Sequence, residues 1–318
     1  MKIVVLDGFA LNPGDLSWKN MKTLGDCLIY DRTKPEEIFD RIQHAEAIIT
    51  NKVLIGKSLI DSLPDLKYIG VTATGYNVVD VQTAAERNII VTNIPAYSTD
   101  SVAQLVFSHI LNFANRVDLH SNSVNAGDWI VNPDFAYWKT PQMEIAGKTL
   151  GIIGLGRIGQ KVAEIAAAFG MKVIFQNRSP KNNIPKEWIQ KSLQEVFSES
   201  DFISLNCPLS NENEAFVNQK LILCMKSTAV LINTGRGGLI HEADLANALN
   251  SGVIAAACLD VLSTEPPLSD NPLISAKNCF ITPHIAWATF EARQRLMNIT
   301  VDNLKHFISG NPRNVVKA

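Results

Sequence analysis

Three residues in the second half of the chain have the types that a proton-coupled reduction needs. Arg236 lies in "LINTGRGGLI", flanked by Gly235, Gly237 and Gly238. Glu265 lies in "AACLDVLSTEPPLSDNPL", and His284 in "FITPHIAWA". An imidazole titrates near neutrality, so it can give or take a proton. A carboxylate beside it favours the charged form. A guanidinium presents a planar fork that matches another carboxylate. Such a set suits hydride transfer to a 2-oxo acid, whose nascent alkoxide needs a proton and whose acid group needs a fixed cation. Each residue also has an ordinary alternative: a surface cation on a turn, a solvated loop acid, a buried histidine satisfied by a carbonyl. The other histidines compete poorly. His109 and His120 fall in a long helical pattern, His241 near a helix start, His306 in the last helix and His44 at a helix end.

Each member of the trio follows a short apolar run: "AVLINT", "AAACLDV" and "CFIT". Runs of this kind read as strands buried on both faces. In an open α/β sheet, ligands bind beyond the carboxyl ends of such strands. Upstream, "LGIIGLGRIGQKVAEIAAAFG" places Gly154, Gly156 and Gly159 as G-x-G-x-x-G between a strand and an amphipathic helix. Gly154 permits the tight turn, Gly156 lets a pyrophosphate approach the backbone, and Gly159 lets helix and strand pack closely. The next strand ends "FQNRS". Asn177 stands where an acid would grip the ribose of NAD and repel the extra phosphate of NADP. Arg178 can pair with that phosphate, and Ser179 follows it, so the pattern favours NADP or a relaxed choice between the two. The alternative is that Arg178 stacks on adenine or points into solvent.

These motifs sit in two α/β units. In the first hundred residues "IVVL", "CLIY", "AIIT", "YIGV" and "IIVT" read as strands, separated by helical segments such as "KPEEIFDRIQ" and "VDVQTAAERN". One long helix is predicted from Thr99 to about His120, with Ser101 and Gln104 at capping-box spacing. An aromatic loop, "AGDWIVNPDFAYWKTPQ", comes next. The second alternation starts at "TLGIIG" and continues through "KVIFQN" and "FISLN" to the three strands above. A last helix, about Thr289 to Ser309, stops at Gly310 and returns to the first unit.

Composition narrows the class. Acidic residues number 31 and basic ones 29 among 318, with no basic stripe, so neither nucleic acid nor an anionic membrane is an expected partner. "MKIVVLDGFA" is too short and too quickly charged for a secretory signal, and no apolar run is long enough to span a bilayer. The five cysteines are scattered without metal or redox spacing, which reads as a reduced, cytoplasmic protein that binds no metal.

Over essentially its whole length the chain resembles the D-isomer-specific 2-hydroxyacid dehydrogenases. The segments "GIIGLGRIGQKVA", "FGMKVI", "LINTGRGGLI", "LDVLSTEPP" and "ITPHIAW" carry the resemblance. It implies a Rossmann dinucleotide-binding domain over 99–287 and a smaller flavodoxin-like α/β substrate domain from 1–98 and 288–318. NAD(P) would lie in a cleft that closes about hinges near Ser98–Ser101 and Ile285–Phe290. Arg236 would hold the substrate carboxylate and carbonyl, and Glu265 would pair with His284, the acid/base. The cofactor would be lined by Val102, Gly154, Gly156, Arg157, Ile158, Gly159, Asn177, Arg178, Ser179, Cys207, Pro208, Thr234 and Asp260, with Asp260 on the nicotinamide amide. Asn51, Lys52, Thr74 and Gly75 would face the substrate, the last two through backbone N–H groups. The family's long helix and following loop imply a homodimer, with Trp138 directed at the partner's site or serving as a dimer contact. "ATGYN", "FAYW" and "HIAWA" look most like the glycerate dehydrogenase (hydroxypyruvate reductase) branch. A D-lactate-type or other 2-oxo acid reductase is the alternative within the family, and a non-catalytic dinucleotide-sensing scaffold the alternative outside enzymology.

Overall fold

A computed structural model describes residues 1–317. They divide into two compact units, one formed by Met1–Ser98 with the segment from Ala288 on, the other by Thr99–Trp287.

The first unit is built on β1 (Lys2–Val5), β2 (Asp26–Ile29), β3 (Ala47–Thr50), β4 (Tyr68–Val71) and β5 (Ile90–Thr92). All pair in parallel, in the order β2-β1-β3-β4-β5. This is the flavodoxin-like order. β3 and β4 are buried at every residue, so both carry continuous apolar sequence, whereas the edge strand β2 is partly exposed. The helix Phe290–Ile308 belongs to this unit. Thr289 caps it by accepting from Ala292 N, and Gly310, at φ 78°, follows its end. Its Phe307 ring lies 4.8 Å from that of Tyr68. Its Arg293, only 8% exposed, forks both Asp15 carboxylate oxygens at 2.7 and 2.6 Å.

The second unit contains β6 (Thr149–Ile153), β7 (Lys172–Gln176), β8 (Ile189–Gln190), β9 (Phe202–Leu205), β10 (Val230–Asn233), β11 (Ala256–Leu259) and β12 (Cys279–Ile281). The parallel sheet runs β12-β11-β10-β9-β6-β7-β8. Read outward from β6, this is the doubly wound dinucleotide-binding order with one added strand, and its topological switch point falls between β6 and β9. Apolar clusters fill both faces of the sheet.

Three local features differ from the sequence expectations. The long helix is two, Thr99–Asn115 and Val117–Asn125, because Arg116 turns left-handed at φ 46°. That turn places the Arg116 guanidinium 5.0 Å from the Phe280 ring, a tertiary contact invisible in the helical periodicity. Ser101, at capping-box spacing from Gln104, lies buried inside the first turn of the helix. Finally, the two-residue edge strand β8 is too short to leave a pattern.

Candidate active site

Gly154 leaves β6 at φ 92°, against the chain that follows β9: a Cβ there would stand 2.8 Å from Cys207 N. Gly159 abuts the Gly154 carbonyl, which lets the helix Arg157–Ala168 sit close to its strand. Gly156 is different. Apart from its own chain neighbours, no atom of the described residues lies within 4 Å of where its Cβ would be, so the backbone at the helix start is open to a ligand. Just after this turn, Arg157 is exposed and Ile158 half-buried; in the helix Thr99–Asn115, Val102 is buried at 6% exposure. Along the neighbouring strand ends, Cys207 is half-buried and Pro208 exposed. Burial raises the Cys207 thiol pKa and keeps it un-ionised. Thr234 Oγ1 and Asn206 Oδ1 are buried, and neither has a hydrogen-bond partner among the described residues. Buried polar atoms are rarely left unpaired. An anion-ready helix start and two orphaned oxygens at the sheet's carboxyl edge fit a dinucleotide.

Asn177 follows β7 and is half-buried. Its Oδ1 accepts from Leu155 N at 3.1 Å and its Nδ2 donates to the Ser179 carbonyl at 2.7 Å. The amide braces the glycine-rich turn and keeps one acceptor and one donor position for a ligand. Arg178 is 91% exposed and makes only a loose, 3.7 Å pair with Glu212. Ser179 is exposed beside it.

Arg236, Glu265 and His284 follow β10, β11 and β12, three hydrogen-bonded neighbours. Parallel pairing brings all three exits to one edge of the sheet. Asn233, at the end of β10 and fully buried, accepts from Gly235 N at 3.0 Å and donates to the Arg236 carbonyl at 2.8 Å. It sets the turn from which the exposed Arg236 projects. Gly237 then lies against the Leu262 carbonyl and Ser263 amide, where any Cβ would collide. The Arg236 turn and the Glu265 loop are therefore in backbone contact.

Glu265 and His284 meet. His284 Nδ1 stands 2.5 Å from Glu265 Oε2, and Glu265 Oε1 accepts from Leu262 N at 3.1 Å. His284 adopts φ 54°, a left-handed conformation that costs a side-chain-bearing residue energy unless its surroundings enforce it. Asp260 does so. At 1% exposure, its Oδ1 accepts from Thr282 Oγ1 at 2.6 Å and Ile285 N at 2.9 Å, and its Oδ2 from Ala286 N at 2.8 Å. These bonds bracket His284. A carboxylate accepts about four hydrogen bonds, so Oδ2 keeps one position for a further donor. His109, buried in the helix Thr99–Asn115, has its Nε2 3.5 Å from Thr282 Oγ1. Burial lowers its pKa against the opposing pull of Asp260.

In the first unit Asn51 is 6% exposed and spends its Nδ2 on Thr72, at 2.7 Å to the carbonyl and 3.1 Å to Oγ1. It braces its loop instead of presenting a free amide, contrary to the expectation of a substrate-facing side chain. Lys52 is exposed. The Thr74 side chain donates to the Ile94 carbonyl at 2.8 Å. The Thr74 and Gly75 amides donate to no protein acceptor among the described residues. Asp7, which sequence reasoning passed over, accepts from Asn51 N at 2.8 Å, Lys52 N at 2.6 Å and Val53 N at 3.2 Å. Burial raises its pKa, and these three amides oppose the shift. A lone Asp after a strand carries no sequence signal for that role.

Trp138 is 69% exposed, on a segment where Trp129, Ile130, Val131 and Phe135 are exposed as well. No helix among the described residues is long and apolar enough to cross a membrane.

A doubly wound sheet with an open glycine turn and a histidine–glutamate pair at its carboxyl edge defines a nicotinamide-dinucleotide oxidoreductase. Residues 107–286 match the model of the D-isomer specific 2-hydroxyacid dehydrogenase NAD binding domain. The chain is 49% identical to a hydroxypyruvate reductase of Blautia hydrogenotrophica, over 99% of each chain. It is 40% identical to a glycerate dehydrogenase of Methylorubrum extorquens, over 100% of this chain and 99% of that one. Among solved structures, an acyclic imino acid reductase in complex with NADPH and D-Arg superposes with a TM-score of 0.85 at 34% identity, covering 100% of both chains. The chain belongs to the D-isomer-specific 2-hydroxyacid dehydrogenase family and is an NAD(P)-dependent oxidoreductase acting on CH–OH groups.

Proposed function

We propose that this enzyme reduces hydroxypyruvate and glyoxylate to D-glycerate and glycolate. The names of the relatives in Blautia and Methylorubrum support that substrate class. The single observation that carries the chemistry is the 2.5 Å contact between His284 Nδ1 and Glu265 Oε2. A reduced nicotinamide, when bound, supplies the hydride.

The chain's own residues do the rest. Glu265 holds the imidazole by Nδ1, which leaves Nε2 to hand its proton to the carbonyl oxygen as charge develops there. Arg236 forks the substrate carboxylate and polarises the carbonyl. Lys52 and the open Thr74 and Gly75 amides form an anion-binding surface on the first unit. Gly156, Arg157 and Ile158 receive the pyrophosphate at the helix start, and Val102, Cys207, Pro208 and Thr234 line the ring and ribose. Asp260 offers its remaining acceptor position to the carboxamide.

NADP is the proposed partner of Arg178 and Ser179. Asn177, which stands where an acid would repel the extra phosphate, carries no charge, and the exposed guanidinium of Arg178 favours a phosphate. The relative solved with NADPH supports this choice. The exposed apolar residues from Trp129 to Trp138 support a homodimer. Reduction in the cytoplasm fits the five unpaired cysteines.

The test is a steady-state matrix of NADH and NADPH against hydroxypyruvate, glyoxylate, pyruvate and 3-phosphohydroxypyruvate. Highest kcat/KM on hydroxypyruvate or glyoxylate with NADPH is the expected result. A clear preference for pyruvate would assign a D-lactate-type enzyme, and absence of turnover on all four would reject the substrate class.

A further inference from the structure

Glu265 sits in a stretch with no core packing of its own. Every residue from Ser263 to Asp270 is exposed. Pro266 and Pro267 also remove two backbone donors from it. A segment like this has little to fix it, yet Glu265 must hold the imidazole within hydrogen-bond length.

The restraint comes from another element. Glu242 opens the helix Glu242–Asn250, which is anchored in the core through Leu245, Ala246 and Leu249. Its Oε1 accepts from Ser263 N at 2.7 Å, and its Oε2 accepts from Asn271 Nδ2 at 2.8 Å. One carboxylate ties the two ends of the loop together. At the far end, Asn271 Oδ1 accepts from the amide of Leu273, a core residue, at 3.0 Å. At the near end, Leu262 N donates to Glu265 Oε1 at 3.1 Å, one residue before the amide that Glu242 holds. The path from Glu242 to the imidazole therefore runs through Ser263, Leu262 and Glu265. Among the described residues, neither hydrogen bond of Glu242 goes to His284 or Arg236.

We propose that Glu242 is a positioning residue: it closes the 263–271 loop and thereby sets where Glu265 holds the His284 ring. The inference rests on the reading of Glu265 and His284 as the acid pair. Catalysis requires that ring to be placed closely, since a displacement of about 1 Å can cost on the order of 100-fold in rate. The Ser263 bond is exposed and the Asn271 bond only partly buried, so water can replace Glu242 without unfolding the protein.

The experiment compares Glu242→Ala and Glu242→Gln in the full chain, each with and without Glu265→Gln. Glu242→Ala is expected to lower kcat for hydroxypyruvate by at least about tenfold, with KM for the dinucleotide within about twofold. Glu242→Gln keeps one acceptor for Ser263 N and should recover most of the rate. In the Glu265→Gln background, removing Glu242 should cost less than about twofold more, because both changes act through one carboxylate. Site-resolved hydrogen exchange gives a readout independent of turnover. The Leu262 amide should lose protection in Glu242→Ala while the amides of β11 keep theirs. The same loss factor in both backgrounds, or unchanged Leu262 exchange, would overturn the proposal. If the wild-type protein turns over none of the four 2-oxo acids, the substrate reading fails, and the exchange result alone decides whether Glu242 positions Glu265.

Discussion

Glu265 Oε2 lies 2.5 Å from His284 Nδ1, and Asp260 holds the Thr282 hydroxyl before that histidine and the Ile285 and Ala286 amides after it. The two residues are 19 apart in sequence and occupy loops from adjacent strands. One oxygen of the glutamate serves the ring and the other a backbone amide, so its direction is set as well as its distance. Glu265→Gln keeps the shape but replaces with an amide the carboxylate that holds His284 Nδ1. Its kcat should fall by about 10- to 100-fold with dinucleotide affinity unchanged. Steady-state kinetics beside fluorescence titration of NADPH would check this; a weakened NADPH complex with normal kcat would place Glu265 on the cofactor.

The glycine turn separates binding from folding. A Cβ at Gly156 meets open space, whereas one at Gly159 would run into the Gly154 carbonyl. Gly156→Ala should fold with a wild-type melting temperature yet bind NADPH at least about tenfold more weakly, because the methyl stands where the pyrophosphate approaches. Gly159→Ala should lower the melting temperature itself. Calorimetry and dinucleotide titration on the two variants provide the comparison, and normal binding by Gly156→Ala would move the phosphate site elsewhere.

The proposed preference for NADP rests on Arg178. Removing its exposed guanidinium should raise KM for NADPH by about tenfold or more and leave KM for NADH within about twofold, as loss of a charge-assisted phosphate contact requires. Equal losses for both cofactors would take Arg178 out of the phosphate site.

Acid should weaken the first unit in a defined way. The Arg293 hydrogen bonds hold the Asp15 carboxyl below the ordinary aspartate pKa of 3.8. A carboxylate with a depressed folded-state pKa adds stability above its unfolded value, and that stability drains away as pH falls through the folded value. Asp15→Asn should therefore melt below wild type at neutral pH, and the gap should close below about pH 3.8. Thermal melts across that range test the sign. A gap that persists in acid would mean that Asp15 acts through packing and not through its charge.

Much of this site is legible in the chain because its signals are local. Strands buried on both faces appear as unbroken apolar runs, and the glycines of residues 154–159 recur at fixed spacing before a helix. Arg236, Glu265 and His284 each announce themselves as a reactive type just past such a run. What stays hidden depends on partners distant in sequence. That the Asn177 amide oxygen braces Leu155, and that the Asn51 amide is spent on Thr72, shows only in the fold. Asp7 and Glu242 hold backbone amides 44 and 21 residues away, an arrangement that no periodicity encodes. The break at Arg116 likewise accompanies a contact with the Phe280 ring of β12, far away in sequence.

The central claim is that His284 gives up the proton, and the direct measurement is kcat for hydroxypyruvate reduction by His284→Ala, with the NADPH dissociation constant taken on the same preparation. Loss of about 100-fold or more in kcat, with that constant within about threefold of wild type, is the predicted result. Turnover surviving within about tenfold of wild type would contradict it.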